Sequence, residues 1–420
     1  MERGAPEAAT TMQPLRILHI HRNLRLAKGG VVRFVIDLAQ ALSREHEVAV
    51  VSPDVSDAPS EWKNATEHDR PAAPTPTTLT PQAPGRSRAP RYVEMSPPSL
   101  PMDVLSAGAI AGVLPLIEWC DVAHFHGAWM PMNIQLAAQC RRLGKPYIAS
   151  PHGMLDDWCM NQARLKKRIF HALAGARFFA NAAAVHCTAQ AELDQSGAWF
   201  PRALGVVIPP LVDLSAYRTL PGPDLWRHER ARRAATDSPI VLFLSRLHPK
   251  KRPDILIDAA AMLRDRGIAA TIVLAGPGDE SYVASLRDKA RSLKVDDRVE
   301  FPGLVTGALK LSLYQAAGVF ALPTSQENFG LVLAEAMACG TPVVTTRGVD
   351  IWPELESSGG AIVTEPGAGA FADAIAMLLS DQAKRHAMSV AARSHIFSWL
   401  DEASVLSRYV EMYARAAGRA

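Results

Sequence analysis

At 420 residues and 45.4 kDa, with 48% hydrophobic and 21% charged residues, the chain is long enough to form two domains that each bury a core. A formal net charge of +3 and a pI near 8.6 are too mild to call for nucleic acid, but they suit an anionic lipid surface or a diphosphate. Five cysteines with no CxxC pair argue against a disulfide framework or a structural zinc site and for reduced, mostly buried thiols.

The first residues, MERGAPEAATTMQP, lack the apolar centre of a signal peptide. The most apolar later run, Val104 to Ile117, falls short of the ~20 residues of a membrane span. A cytoplasmic location is therefore expected. Arg16 to His21 (RILHIH) fits a buried strand, and Val31 to Leu42 repeats apolar residues at helical spacing. Between them Gly29 and Gly30 precede the helix, where absent side chains allow a ligand close to the backbone; a plain strand-to-helix turn is the weaker alternative. No GxGxxG and no acidic ribose contact follow, so a nicotinamide cofactor is not expected. Glu47 to Ser52 gives a second strand. Ten of the 31 prolines then fall between Pro59 and Pro101, a composition that cannot support a packed core. Residues 57–101 are read as a flexible Pro-rich insert, passive rather than a lid.

Alternation resumes with a helix near Met102 to Ile117, a strand Asp121 to His126, a helix Asn133 to Leu143 and a strand Tyr147 to Ser150. This rhythm predicts a parallel, doubly wound sheet with ligands at the carboxyl ends of its strands. His126-Gly127 and His152-Gly153 stand at two such ends. A histidine followed by glycine there favours a functional role for His152 and leaves His126 even between function and packing; His124 is read as facing the core. Leu165 to Phe179 (LKKRIFHALAGARFF) is an amphipathic basic helix. A helix packed on the sheet with a solvated cationic edge is preferred over a membrane-docking surface. Strands at Ala184 to Cys187 and Val206 to Ile208 complete the first domain, and the polar, Arg-rich stretch from Pro221 to Asp237 reads as linker.

The second domain opens with strand Ile240 to Leu244, the loop SRLHPKKRPD and a helix with Pro253 in its first turn. Thr271 to Ala275, GPGD at Gly276 to Asp279, and Phe301 to Val305 supply further strand-end loops. Then comes LPTSQENFGLVLAEAMACGTPVV from Leu322 to Val344: strand end, glycine-containing loop, helix, glycine stop, strand start. Asn328, Phe329, Gly330 and Leu331 would offer amides at the positive end of a helix. Glu327 and Glu335, eight residues apart, are separated by roughly 80° and about 12 Å at helical geometry. That is too far for a close acid/base pair, so each is read as an acceptor for a different part of one polyhydroxylated ligand. Helices near Ala370 to Leu379, Ala383 to His395 and Glu402 to Ala416 end the chain.

This motif, two glutamates separated by seven residues with the glycine after Phe329 and the CGTPVV exit, resembles that of the retaining glycosyltransferases of family 4 (glycosyl transferases group 1, polysaccharide-biosynthesis type). The resemblance extends from Leu15 to the C-terminus apart from the insert. It implies an α/β chain of GT-B fold: two Rossmann-like, doubly wound parallel-sheet domains facing across a cleft. It also implies that His152 lies beside the anomeric centre of the sugar, that Arg246 and Lys251 hold the nucleotide diphosphate, and that the loop of Gly29 and Gly30 faces sugar and acceptor. A final helix crossing back to the first domain is implied too. Pro210-Leu211 stand where the family often has Asn-Gly, which departs from its local turn without touching the main site. The organisation expected is a disordered N-terminus (1–13), an acceptor domain (14–213) containing the insert, a linker (214–237), a donor domain (238–396) and a crossing helix (397–420).

The implied function is a hexosyltransferase of the EC 2.4 class. It would move a sugar, with retention, from a nucleotide diphosphate donor to a hydroxyl of a glycan or lipid-linked glycan in polysaccharide biosynthesis. His152 and Glu327 are the catalytic candidates; Arg246, Lys251, Glu335, Asn328, Phe329, Gly330 and Leu331 bind donor. No metal or cofactor is expected, nor nucleic acid; peripheral contact with the inner face of the membrane is open. The alternatives are a sugar-nucleotide epimerase of the same architecture and a noncatalytic nucleotide-sugar-binding protein.

Overall fold

The computed structural model describes residues 13–26, 29–59, 62, 89–98, 104–232 and 238–419. The disorder expected of the N-terminus, but for residue 13, lies outside the described residues, as do most of the Pro-rich insert and residues 233–237 of the linker.

In chain order the first half forms β1 (Arg16–Ile20), α1 (Gly30–Leu42), β2 (Glu47–Ser52), β3 (Arg91–Glu94), α2 (Ala107–Trp119), β4 (Val122–His126), α3 (Pro131–Arg142), β5 (Tyr147–Ser150), α4 (Arg164–Phe170), β6 (Ala184–Cys187), α5 (Gln190–Ser196) and β7 (Gly205–Val207). The strands pair in parallel in the order β3-β2-β1-β4-β5-β6-β7, so direction reverses between β1 and β4. Side-chain alternation gives this sheet two cores. Leu18, Ile20, Ala123 and Phe125 point to one face, while Ile17, Val48 and Val122 point to the other with α1.

The insert is corrected at two places. Arg91–Glu94 is an edge strand paired with β2 (Ala49↔Arg91 to Ser52↔Glu94), and buried Trp62 donates from Nε1 to Gln40 Oε1 at 2.6 Å. A short edge strand needs one partner only, so flanking prolines do not prevent it. Composition averaged over residues 57–101 hid it.

The second half forms β8 (Ile240–Leu244), α6 (Pro253–Asp265), β9 (Thr271–Ala275), β10 (Val299–Gly303), β11 (Ala317–Leu322), α7 (Leu331–Ala338), β12 (Val343–Thr346), β13 (Ala361–Thr364), α8 (Gln382–Trp399) and α9 (Glu402–Ala416). Its sheet runs β10-β9-β8-β11-β12-β13, reversing between β8 and β11. Both sheets therefore open their strand exits at a switch point, where ligands collect in such folds.

Helix α8 stays in the second domain through Met388, Ala392 and Ile396. The chain breaks at Asp401, whose carboxylate accepts from Ser404 N at 3.0 Å as the cap of α9. Helix α9 then buries Val405, Tyr409, Met412 and Tyr413 against α1 and the first sheet. Tyr413 lies 2.7 Å from His124 Nδ1. Tyr413→Phe keeps the ring but leaves a buried acceptor unpaired. It should cost about 1–3 kcal/mol, read as a lower urea midpoint of the transition that reports the first domain.

Candidate active site

The parallel register places His19 opposite His124 and His126 opposite Ser150. His19, His124, His126 and His186 thus form a buried layer between the sheet and helices α1 and α9. His124 and His126 share this face, since they are two residues apart on β4. Burial drives every one of these imidazoles toward the neutral form: His19 is pushed down to about 3, His186 to about 4, and His124, His126 and His152 well below the ordinary value.

A neutral imidazole has one donor and one acceptor, which orders the contacts. His186 Nε2 faces the Ile208 carbonyl at 2.9 Å and must donate, so its Nδ1 accepts from the Ser150 hydroxyl at 2.7 Å. Ser150 then accepts from His124 Nε2 at 2.7 Å, which leaves His124 Nδ1 to accept from Tyr413. A second chain runs from His19 Nδ1 to His126 Nε2 and from His126 Nδ1 to His152 Nε2, each at 3.0 Å. The rings of His19, His124 and His126 bring nitrogens within 4.8 Å of one another. Their rings are stacked or tilted and both nitrogens of His124 and His126 already have partners, so this layer is a hydrogen-bonded relay.

His152 ends the relay on the cleft side, with Phe34 of α1 4.8 Å from its ring. Its backbone is left-handed (φ 53) and Gly153 follows at φ 70. Such a conformation in a non-glycine residue costs on the order of 1–3 kcal/mol and persists only when its surroundings hold it. The holder is Glu192 of α5, fully buried. It accepts from Gly153 N at 2.6 Å, Thr188 N at 2.7 Å and the Thr188 hydroxyl at 2.9 Å. Gly153 is required for a second reason: a Cβ there would lie 3.0 Å from the Asn328 Cβ of the other domain. Gly29 (φ 121) and Gly30 open α1, the helix whose Phe34 faces His152.

On the opposite wall the exits of β8 and β11 meet. Arg246 is exposed, Lys251 is buried and paired with Glu327, and Lys250 lies 4.7 Å over the ring of Trp158 from the first domain. Burial pushes the Lys251 ammonium down to about 7, and Lys250 and Arg246 push the same way; the Glu327 carboxylate pulls in the opposite direction. Glu327 is held by its own backbone: its N–H donates to Gly348 O at 2.7 Å and its carbonyl accepts from Asp350 N at 2.9 Å. Gly330 (φ 68) caps α7, so Asn328, Phe329, Gly330 and Leu331 bring their amides to its N-terminus. The Phe329 side chain is buried, stacked on Trp399 at 5.4 Å, so it contributes backbone only. Glu335, one turn along α7, accepts from Lys310 Nζ and Tyr314 OH, both at 2.9 Å. A carboxylate has about four lone-pair positions, so hydroxyls of a ligand can still be accepted.

The structure therefore brings His152 to one wall and Arg246, Lys251, Glu327, Glu335 and the α7 amides to the other. Sequence reasoning missed what joins them. The Thr188 hydroxyl lies 2.9 Å from both Glu192 Oε2 and Asn328 Oδ1. Asp350 accepts from Gln195 at 3.0 Å and Asn328 at 3.2 Å, and Gln326 donates to Asp156. Burial pushes the Asp350 carboxyl up to about 7, with Glu192 adding to it. The local sequence carries no signal for it: Thr188 stands four residues before Glu192, one more than a capping box, and the residue at the N-cap is Ala189.

Comparison with known proteins agrees with this geometry. The family described as "Glycosyl transferases group 1" matches residues 225–395, and "Glycosyltransferase Family 4" matches residues 28–216. A GDP-mannose-dependent alpha-(1-6)-phosphatidylinositol monomannoside mannosyltransferase of Mycolicibacterium smegmatis is 30% identical over 381 residues, covering 87% of this chain and 90% of its own. A D-inositol 3-phosphate glycosyltransferase of Kineococcus radiotolerans is 35% identical over 230 residues, 50% of this chain and 52% of its own. The chain spans about half the length of this and similar curated relatives (43–52%). Among solved structures, Anabaena HepE in complex with UDP superposes with a TM-score of 0.74 at 20% identity, over 96% of this chain and 100% of that one. That likeness shows the fold, GT-B.

Glu192→Gln offers an amide N–H where Gly153 or Thr188 needs an acceptor, which loosens the His152 loop without touching the cationic wall. Steady-state kinetics should show kcat lower by about 100-fold with nucleotide affinity within about twofold of wild type.

Proposed function

The chain belongs to glycosyltransferase family 4, and from that premise we propose that it transfers a hexose from a nucleotide diphosphate donor to a hydroxyl of a glycan or lipid-linked glycan, with retention and without a metal. The observation that carries this reading is the wall formed by Arg246, Lys250, Lys251 and the α7 amides, facing the strained His152 loop across the cleft. A departing diphosphate gathers negative charge, and fixed cations and amides beside a helix N-terminus stabilise it without reorganising.

In this mechanism Arg246 and Lys251 hold the diphosphate, Glu335 accepts from the ribose hydroxyls and Glu327 accepts from a hydroxyl of the transferred sugar. The bond from the anomeric carbon to the phosphate oxygen breaks, and one from the same face of that carbon to the acceptor oxygen forms. The acceptor's proton passes to the leaving phosphate oxygen. His152 supports positive charge at the anomeric carbon through its carbonyl or ring. Closure of the domains, through Thr188, Asn328 and Asp350, excludes water as a competing acceptor. The names of the relatives support transfer over the epimerase and noncatalytic readings. A membrane-borne acceptor would be met by peripheral contact, since no helix among the described residues is long and apolar enough to cross a membrane.

Thermal-shift measurements with GDP-, UDP-, ADP- and TDP-sugars, with and without EDTA, test the proposal. One base class should raise the melting temperature, EDTA should not diminish the shift, and Arg246→Ala/Lys251→Ala should abolish it. No shift with any donor would sink the reading.

Nucleotide affinity should also depend on pH. Lys251, free, loses its proton near pH 7, whereas a bound diphosphate favours the ammonium, so binding above pH 7 takes up a proton. The Kd of the nucleoside diphosphate should rise about tenfold per pH unit between roughly pH 7.5 and 9. In Lys251→Arg, whose guanidinium stays charged, calorimetry should find that slope gone.

A further inference from the structure

The segment from Arg164 to Gly175 does not pack as its sequence suggests. Helix α4 continues into a π-helical turn, His171–Gly175, anchored on its inner side: His171 and Gly175 are buried, with the His171 ring 5.3 Å from that of Trp199. On the outer side Leu165, Ile169 and Leu173 are 74%, 51% and 81% exposed. Spaced by four residues, about one helical turn each, they form a ridge along the outer side of the segment. The reading of these residues as a helix face packed on the sheet is thus corrected; Phe178 and Phe179, farther along, supply that packing.

Along the segment that carries the ridge, charge has one sign; the nearest acids in the chain are Asp156 and Asp157 before it and Glu192 after it. From Trp158 to Ala191 the chain carries five Lys and Arg and no Asp or Glu. Lys167 is tied to the Cys159 carbonyl, whereas Arg164, Lys166, Arg168 and Arg177 are exposed. Three bare aliphatic side chains flanked by cations, on a helix too short to span a bilayer, match the boundary between anionic headgroups and acyl chains. A protein groove would complement the ridge equally well in shape but gives no reason for four exposed cations beside it on the same segment. The geometry points to this ridge as the surface by which the protein lies on an anionic bilayer. Helix α4 follows the His152 loop in the chain, at the carboxyl end of β5, so docking there brings the cleft toward a lipid-borne acceptor. This part rests on the transferase reading above.

The test is co-sedimentation of the full chain with vesicles of phosphatidylcholine alone or mixed with phosphatidylglycerol. Binding should be at least about tenfold tighter on the anionic vesicles and should fall with added salt. Leu165→Ser/Ile169→Ser/Leu173→Ser should weaken it at least about tenfold, although every cation remains; these side chains are exposed, and an unchanged circular dichroism spectrum and donor thermal shift check the fold. Equal binding to both vesicles, or binding that survives the triple substitution, overturns the proposal. So does concentration-dependent self-association, seen by sedimentation velocity, that the triple variant abolishes without any vesicle binding. Vesicle binding by a protein that responds to no nucleotide sugar would keep this surface and remove the transferase reading.

Discussion

The layer of neutral imidazoles beneath the cleft constrains the rest of the first domain. Buried charge would be prohibitively costly there, so each ring is neutral, with one donor and one acceptor nitrogen to place. The order that results runs from Tyr413 through His124 and Ser150 to His186 and the Ile208 carbonyl. Its first donor comes from α9, at the far end of the chain. The C-terminal helix is therefore a covering element for an apolar face and also completes a polar network that the first 213 residues leave one donor short. This is why a helix at residues 402–416 belongs structurally to a domain that begins at β1.

Much of the architecture was legible because parallel strands buried on both faces leave continuous apolar runs, and the loops at their exits carry the glycines and polar residues. RILHI, EVAVVS and IVLFL appear as strands for that reason. The wall around α7 was legible in part through residue types, glycine before a helix and two carboxylates beside it; Arg246 and Lys251 came with the family resemblance. Arg91–Glu94 was obscured because an edge strand shares its neighbourhood with prolines that composition weighs more heavily. The exposed ridge of α4 was obscured because helical periodicity separates an apolar face from a polar one and does not say which of the two meets protein.

Glu192, Thr188 and Asp350 were illegible for a different reason. Nothing in their local sequence distinguishes a cap or a surface acid from a group buried between domains, and only the closure of the chain brings Asn328 against Thr188 and Gln195 against Asp350. Their environment shows in their chemistry: burial lifts the carboxyls of both Glu192 and Asp350 above their ordinary range. A carboxyl raised to about 7 stays protonated in the closed protein at pH values where an exposed one has ionised. Folding into this arrangement thus binds a proton between roughly pH 4 and 7, so the seam is most stable at the acid end of that window and loses stability as pH rises toward 7.

These seam residues link two strains that would otherwise be independent. His152 is held left-handed by the acceptor that Glu192 offers to Gly153, and Glu192 is in turn steadied by Thr188, whose hydroxyl also reaches Asn328. Asn328 follows Glu327, the carboxylate paired with Lys251. A path of four direct contacts therefore runs from the His152 loop to the cation that loses its charge most readily. Opening the domains breaks the Thr188–Asn328 contact in the middle of that path. The His152 loop then loses a constraint at the same moment as the cationic wall loses its facing surface, so the strained geometry is fully supported only when the two walls are together. In this arrangement the strain of His152 is sustained by a chain of contacts that reaches both domains.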